Sequence, residues 1–488
     1  MMISLGILAG FMIPGFLAAR AIVQGRNIPQ SLGLSAALSL PLGFALYSCL
    51  IFFSFVTAQS KGAELALCLY LLSTAALAVS IFPCGSAKDV SGETWPSPRQ
   101  LMIRLVTEAR IRFPSSLSKV SWITLLALIF FAFVTWSYLA YFAAQTASNP
   151  LGGWDARYFW LLKARFYFRD PAAWQGMFSS LPGEWSHPDY PLMMPGAYAG
   201  SWFLVNRESL IGPILVSLGF ALSLAGLILW YLWVHTSARV ALIAGAFFMS
   251  IPMWRFWSTT LYADIPLAFF MTAAGMFTVL GLRKQDSRLL FSAGIFAGLA
   301  LWTKDEGLLF LIWLCLCVGA ASAPFKDPLA VLKNRILPLV LAVIIPLAAV
   351  FLIKKFLGTT GGQFLGSGRS LADYGTLLFG NFQKTQLITF VFGLFASNHA
   401  QWNGLWFLVL FAALFCGRRG YGSYRWVYLT LAILVWFGYF VILHVTRFDL
   451  KFQIETALLR IMSHSMGLAF IFSIESLFFT REKAIKNR

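Results

Sequence analysis

The sequence has few charged residues for its length. Only 11% of its 488 residues are Asp, Glu, Lys or Arg, whereas 59% are hydrophobic. Such a composition excludes an ordinary water-soluble domain. Apolar stretches of roughly 15 to 25 residues recur along the chain, and they must form helices because hydrocarbon does not tolerate unpaired backbone groups. We therefore predict an all-α polytopic membrane protein.

Cysteine and histidine are also scarce, with six and five residues. The cysteines lie in or at the ends of apolar stretches, with no CxxC pair and no histidine at ligand spacing. This pattern indicates neither a disulfide nor a metal site. The first apolar stretch has no basic residue ahead of it, since Arg20 is the first in the chain. We therefore do not expect a cleaved signal peptide.

The net charge of +18 raises the question of a nucleic-acid partner. The basic residues lie mostly in short loops between the apolar stretches and form no continuous stripe. Membrane topology and attraction to anionic lipid head groups explain this distribution. We predict membrane lipids, and no nucleic acid, as partners.

The apolar stretches predict about 13 transmembrane helices. They are Ile3–Ala19, Leu32–Val56, Leu65–Phe82, Val120–Ala143, Leu210–Val234, Val240–Trp254, Ile265–Leu282, Leu289–Trp302, Leu308–Ala321, Ile336–Ile353, Leu405–Phe415, Trp426–Leu443 and Leu458–Phe479. Because Lys and Arg favour cytoplasmic loops, their distribution predicts an external N-terminus and a cytoplasmic C-terminus. Residues 191–205 are then interfacial or re-entrant.

Two regions follow from this arrangement. Residues 1–119 form N-terminal transmembrane helices with a basic cytoplasmic loop, and residues 120–488 form a transmembrane core. Two longer external loops lie near residues 145–208 and 358–403, and most acidic residues fall on their side. Ionisable residues close to the bilayer are costly, so this face is where we expect a functional site.

Asp155 stands in the first long loop, in the motif GGWDARYFW. Its aromatic neighbours suit the membrane interface, where partial desolvation raises the pKa of a carboxyl toward that of a useful base. The alternative is that Asp155 only caps the helix that follows the glycine turn.

Two further motifs carry acidic residues beside prolines. In HPDYP, His187 and Asp189 precede an apolar segment, and they are either site residues or solvated parts of a rigid loop. In WRFWSTTLYADIP, Arg255 and Asp264 fall at the external end of a helical hairpin. Asp264 is also well placed to cap its helix.

Charged residues interrupt apolar sequence at two more places. Lys304 and Glu306 stand in TKDEG, either as site residues or as interface residues that snorkel. The external side also carries Arg447, Lys451, Arg460 and His464, at or near the start of the last helix. Such cations call for an anion, which a phosphate group at the membrane surface would supply, although Asp449 and Glu455 could instead neutralise them.

The order of the five motifs resembles that of the C-type (GT-C) superfamily of membrane glycosyltransferases, which includes protein O-mannosyltransferases and aminoarabinose transferases of lipid A. The motifs are WDARYFW, HPDYP, YADIPLAFF, TKDEG and TALLR, and the resemblance covers roughly residues 120–479. It implies a GT-C-like fold. The three helices before Lys119 precede the usual start of the family core.

Members of this superfamily transfer a sugar from a polyprenyl phosphate to an acceptor outside the cytoplasm. The resemblance implies that Asp155 is the base and that Asp264 is the second acidic position. It implies that Lys304, Glu306 and Arg460 line the donor pocket. It also implies a polyprenyl-phosphate-linked sugar donor, a glycan, lipid or protein acceptor, and an inner-membrane enzyme whose active site faces the periplasm.

Inversion by direct displacement needs one base and stabilisation of the departing phosphate. No cofactor is required, and the absence of a DxD pair on the external face argues against an obligatory metal. The main alternative is a transporter or flippase of a lipid-linked glycan. Transporters, however, hold polar residues near the bilayer midplane and often contain two related halves. A structural subunit of an envelope-assembly complex is a third hypothesis.

Overall fold

A computed structural model shows the chain as a set of helices. The described residues are 2–24, 28, 30–81, 121–179, 186–323, 325, 327–357, 371–381, 399–416, 424–445 and 450–478. This part of the chain is 89% helical and contains no strand, which confirms the predicted all-α class.

The helices are numbered in chain order. They are α1 Met2–Val23, α2 Ser31–Ala58, α3 Gly62–Ile81, α4 Trp122–Ser148, α5 Leu161–Arg169, α6 Met193–Phe203, α7 Ile211–His235, α8 Ala238–Ser250, α9 Pro252–Thr259, α10 Asp264–Lys284, α11 Ser287–Thr303, α12 Glu306–Ser322, α13 Pro328–Val331, α14 Leu337–Leu352, α15 Leu371–Asn381, α16 Leu405–Cys416, α17 Trp426–Val445 and α18 Leu450–Phe478. Short π-helical turns precede α5 and flank α14.

Eight helical stretches among the described residues are long and apolar enough to cross a membrane, and the bent pair α8 and α9 is a ninth candidate. One stretch, Ser31–Ile81, holds two helices, because a 3-10 turn at Gln59–Lys61 separates α2 from α3 and these two helices pack on each other. Helices α11, α12 and α16 are apolar but shorter. The chain is a membrane-embedded protein.

Every predicted apolar stretch overlaps one of these helices. Residues 191–205, predicted to be interfacial or re-entrant, contain the 11-residue α6. At about 1.5 Å per residue, α6 reaches about half the hydrocarbon thickness. The predicted boundary between residues 119 and 120 lies outside the described residues, as does most of the loop 358–403.

The chain divides into two compact units. The first comprises Met1–Ala140, Ala164–Trp174 and Met193–Ala246, and the second comprises Tyr141–Lys163, Gln175–Leu192 and Phe247–Arg488. Of the predicted site residues, all those that the structure describes belong to the second unit.

Aromatic side chains fill the centre of the first unit. Phe11 packs edge-on against Phe44 with ring centroids 4.8 Å apart, and Tyr47 packs edge-on against Tyr70 at 4.5 Å. The hydroxyl of Tyr70 donates to the carbonyl of Gly10 at 3.0 Å. The buried ring therefore keeps its polar end satisfied while its apolar body packs.

Helix α10 is the central element of the second unit. It is buried continuously from Asp264 to Leu282, and α18 packs directly on it. A Cβ atom at Gly467 of α18 would overlap the side chain of Thr272, so the close approach of the two backbones requires glycine here. This approach brings the polar start of α10 against polar side chains of α18.

Candidate active site

A glycine turn anchors the backbone that carries Asp155. Gly152 has a φ of 68°, in the left-handed region, and a Cβ atom at Gly153 would overlap the Tyr262 ring. The N–H of Gly153 donates to the carbonyl of Thr260 at 2.9 Å, and the N–H of Asp155 donates to the Tyr262 hydroxyl at 3.3 Å. The two glycines therefore let this loop pack on the turn that precedes α10.

The carboxylate of Asp155 pairs with Arg460 of α18. Nη1 of Arg460 donates to Oδ2 of Asp155 at 2.5 Å, across 305 residues of sequence, and the guanidinium lies 5.7 Å from the Tyr262 ring centroid. Asp155 makes no capping hydrogen bond to the helical turn that follows it in sequence. The capping interpretation of this residue is therefore wrong.

Asp155 is neither fully buried nor free in solvent, since 18% of its side chain is exposed. Burial raises the pKa of this carboxyl above its ordinary value, and the positive charge of Arg460 opposes that rise only in part. A carboxylate with a raised pKa is a stronger base than an exposed aspartate.

Nitrogen atoms of three other side chains lie close to Asp264. Its Oδ1 lies 2.6 Å from Nε2 of His464, 3.3 Å from Nζ of Lys304 and 3.6 Å from Nε of Arg460. The side chain is only 2% exposed. A buried carboxylate is costly unless it is paired and hydrogen-bonded, so these partners are what allow Asp264 to stay charged there.

Lys304 joins Asp264 to Glu306. Its Nζ lies 3.0 Å from Oε1 of Glu306, and the residue is buried at the junction between α11 and α12. The interpretation of Lys304 as a snorkelling residue is therefore wrong. We use the name charged cluster for Asp155, Asp264, Lys304, Glu306, Arg460 and His464.

Three further side chains form a second ionic group. Nζ of Lys354 lies 2.8 Å from Oδ2 of Asp305 and 3.6 Å from Oδ2 of Asp189. Burial raises the pKa of Asp305 to about 6, against the lowering effect of Lys354. Asp305 links this group to the charged cluster through the chain, because its sequence neighbours are Lys304 and Glu306.

His187 belongs to neither set of ion pairs. Its ring stacks on Tyr190 with centroids 4.4 Å apart and lies edge-on to Phe159 at 4.7 Å. Burial lowers its pKa to about 4, so the imidazole is neutral at physiological pH. The carbonyl of His187 accepts a hydrogen bond from Nζ of Lys163 at 2.5 Å.

Arg255 and Arg447 are the remaining predicted residues. Nε of Arg255 donates to the carbonyl of Met249 at 2.8 Å, which places this guanidinium against the end of α8. Arg447 lies outside the described residues. Within the described ranges, no three His, Cys, Asp or Glu side chains converge as metal ligands.

The sequence pattern placed His464 beside Arg460 near the external side, but it selected neither His464 nor Tyr439 as a site residue. His464 follows Arg460 by four residues, so both lie on one face of α18, and Tyr439 of α17 hydrogen-bonds to the other ring nitrogen of His464. The four-residue spacing was a signal for His464. Tyr439 lies in an apolar stretch with no charged neighbour in sequence and gave no such signal.

Several buried atoms of the site have no hydrogen-bond partner within the described part of the chain. They are Nε of Arg460, Oε2 of Glu306 and Oδ1 of Asp305. A guanidinium N–H without an acceptor suits an incoming anion, and carboxylate oxygens without donors suit hydroxyl groups. The arrangement therefore combines a basic carboxylate with two cations, the buried Lys304 and the partly exposed Arg460, and with atoms ready to bind a polar ligand.

No family model matches this chain, and comparisons with curated proteins and with solved structures find no significant match.

Proposed function

We propose that this protein is a glycosyltransferase that moves a sugar from a polyprenyl-phosphate donor to an acceptor hydroxyl, with inversion. Asp155 is the base, and Arg460 and Lys304 bind the phosphate. The observation that carries the proposal is the direct pairing of Asp155 with Arg460. Beside this pair lies a second cation, the buried Lys304, which shares Asp264 with Arg460.

The proposed reaction proceeds in one displacement. Asp155 takes the proton of the acceptor hydroxyl, and the acceptor oxygen forms a bond to the anomeric carbon of the sugar. The bond from that carbon to the phosphate oxygen breaks, and its electron pair leaves with the phosphate. Arg460 and Lys304 stabilise the negative charge that develops on the phosphate oxygens.

The partners of each cation fit these roles. Arg460 is paired with both Asp155 and Asp264, which fixes the position of its guanidinium. Lys304 is held between Asp264 and Glu306. Hydrogen-bond donors that are already fixed in a partly desolvated site need little reorganisation during the reaction. Such preorganisation is the main source of electrostatic stabilisation in enzymes.

We further propose a GT-C-like arrangement with about 13 membrane crossings. This count treats α2 and α3 as two crossings, α8 with α9 as one, and α11, α12 and α16 as short crossings. The protein then lies in the inner membrane, with the charged cluster on the periplasmic side, opposite the basic loops.

The test is transfer by the purified protein and by Asp155→Asn. Each protein, in detergent, receives a radiolabelled polyprenyl-phosphate hexose with a membrane extract as acceptor, and loss of label from the lipid is followed. Asparagine keeps the shape of the side chain but cannot take a proton, so we expect the rate to fall by a factor of about 100 to 10,000. The matched control is Asp170→Asn, because Asp170 is exposed and its hydrogen bond to the backbone N–H of Ala173 is one that asparagine can keep.

The outcomes separate the hypotheses. Transfer by the wild type and by Asp170→Asn, but not by Asp155→Asn, supports the enzyme and its base. Equal transfer by all three proteins removes Asp155 from the mechanism. If label enters no acceptor but the lipid crosses the bilayer of reconstituted vesicles, the protein is a transporter and the proposal is wrong.

A further inference from the structure

A buried hydrogen-bond chain runs from α17 through α18 to α10. The hydroxyl of Tyr439 bonds to Nδ1 of His464, and Nε2 of His464 lies 2.6 Å from Oδ1 of Asp264. All three side chains are buried, and His464 has no exposed surface. The reaction above uses neither Tyr439 nor His464.

The hydrogen atoms of this chain follow from what each partner can donate. Asp264 as a carboxylate only accepts, so Nε2 of His464 carries a proton. The Tyr439 hydroxyl has a single hydrogen, and Nδ1 of His464 is the partner that the structure gives it. If Nδ1 were also protonated, the hydroxyl hydrogen would be buried without an acceptor, which is unfavourable.

We propose that Tyr439 and His464 are positioning residues that hold Asp264 with a neutral hydrogen-bond donor. Because the tyrosine hydroxyl occupies Nδ1, His464 stays a neutral imidazole with its proton on Nε2. Asp264 then receives a hydrogen bond that adds no charge, and its negative charge is left to orient Arg460 and Lys304. This role rests on the proposed transfer reaction.

The ion pairs of the cluster explain why a neutral His464 matters. Asp155, Asp264 and Glu306 face the two cations Arg460 and Lys304. A protonated His464 would be a third cation beside Asp264 and would weaken its hold on Arg460 and Lys304. It would also add positive potential near Asp155 and make that carboxylate a weaker base.

The experiment is nitrogen NMR of the protein labelled with ¹⁵N at histidine only, in wild type and Tyr439→Phe. The chain contains five histidines, and a spectrum of His464→Gln assigns the signals of His464. We expect one protonated and one unprotonated ring nitrogen in the wild type from about pH 5 to 8. In Tyr439→Phe, which frees Nδ1, we expect both nitrogens to be protonated at the acidic end of this range. The charges facing the ring during the titration are Asp264, Lys304 and Glu306.

Tyr47→Phe is the matched control, because Tyr47 is a buried tyrosine of the first unit whose hydroxyl has no hydrogen-bond partner within the described residues. Its His464 signals should equal those of the wild type. Two protonated nitrogens in the wild type at neutral pH, or an unchanged titration in Tyr439→Phe, would overturn the proposal.

Activity measurements link the pair to the reaction. In Tyr439→Phe, the acidic limb of the pH–rate profile should move to lower pH, because a protonated His464 lowers the pKa of the base. A reduced rate with an unmoved profile would mean a merely structural role. If the NMR result holds but the wild type transfers no sugar, the proposed function fails while the assignment of His464 stands. If transfer occurs with a protonated His464, only the present inference fails.

Discussion

Replacing Lys163 by methionine removes a buried positive charge beside the HPDYP turn. Lys163 is only 1% exposed, and its Nζ donates to the carbonyls of His187 and Tyr190 at 2.5 and 3.4 Å. Methionine has a similar length and fills the same space without charge. The substitution therefore isolates the effect of the ammonium group on stability.

The size of the effect follows from the pKa of the lysine. Burial lowers the pKa of Lys163 from 10.5 to about 7, against the opposing effect of Asp189 and Asp305. Between these two values the unfolded chain binds more protons than the folded one, so stability contributed at this site rises with pH. Linkage gives a rise in the free energy of unfolding of about 3 kcal/mol from about pH 7 to about pH 9.5, relative to Lys163→Met.

The assay is denaturant unfolding in detergent micelles, followed by tryptophan fluorescence at several pH values. The difference in unfolding free energy between wild type and Lys163→Met should grow with pH by that amount. We also expect the variant to be less stable by a constant amount at every pH. Its two carbonyls lose the hydrogen bond from Lys163, and each loss costs about 1–3 kcal/mol. Lys61→Met, at an exposed lysine, should differ from the wild type by the same amount at every pH. Parallel curves for wild type and Lys163→Met would refute the reasoning.

Other perturbations test the site and the helix contacts. Because burial raises the pKa of Asp155, transfer should decline with falling pH around a midpoint above the ordinary value of about 4, and a midpoint at or below it contradicts the assignment. Gly467→Leu forces a side chain against Thr272 and should cost about 1–3 kcal/mol, so an unchanged melting temperature would contradict the close helix contact. Arg283→Met removes one ion-pair partner of the fully buried Glu475 and should lower the free energy of unfolding by up to about 3–5 kcal/mol. Adding Glu475→Gln should recover part of that loss in the same unfolding assay.

The hydrophobic pattern predicted the helices well, because it indicates which segments of the chain lie in hydrocarbon. An apolar stretch that must satisfy its backbone in hydrocarbon has no alternative to a helix, and each such stretch overlaps a helix in the structure. The hydrophobic pattern does not decide as well which helices cross the membrane. Helices α11 and α16, with 17 and 12 residues, are short for a bilayer, and composition alone does not decide whether they span it.

The candidate site was predictable in part. The sequence predicted Asp155, Asp264 and Lys304 as site residues, because burying a charged side chain in an apolar segment is energetically costly. The structure brings these residues together with Arg460. Lys163 was overlooked, because a lysine among aromatic residues looks the same in sequence whether its ammonium reaches solvent or is buried. The hydrogen bond from Arg255 to the carbonyl of Met249 was not predictable either, since a one-dimensional pattern does not give the direction of a side chain at a helix bend.

The long separation of Asp155 and Arg460 has a consequence for biogenesis. The ribosome adds Arg460 305 residues after Asp155, about 15 to 60 s later at about 5 to 20 residues per second. During that time Asp155 has already been made, but its guanidinium partner has not. Nascent chains that stop before α18 carry this carboxylate without the partner that holds it in the finished protein. The ion pair can therefore form only after α18 has been made, and membrane quality control has a physical basis for separating chains that stop before α18 from chains that contain it.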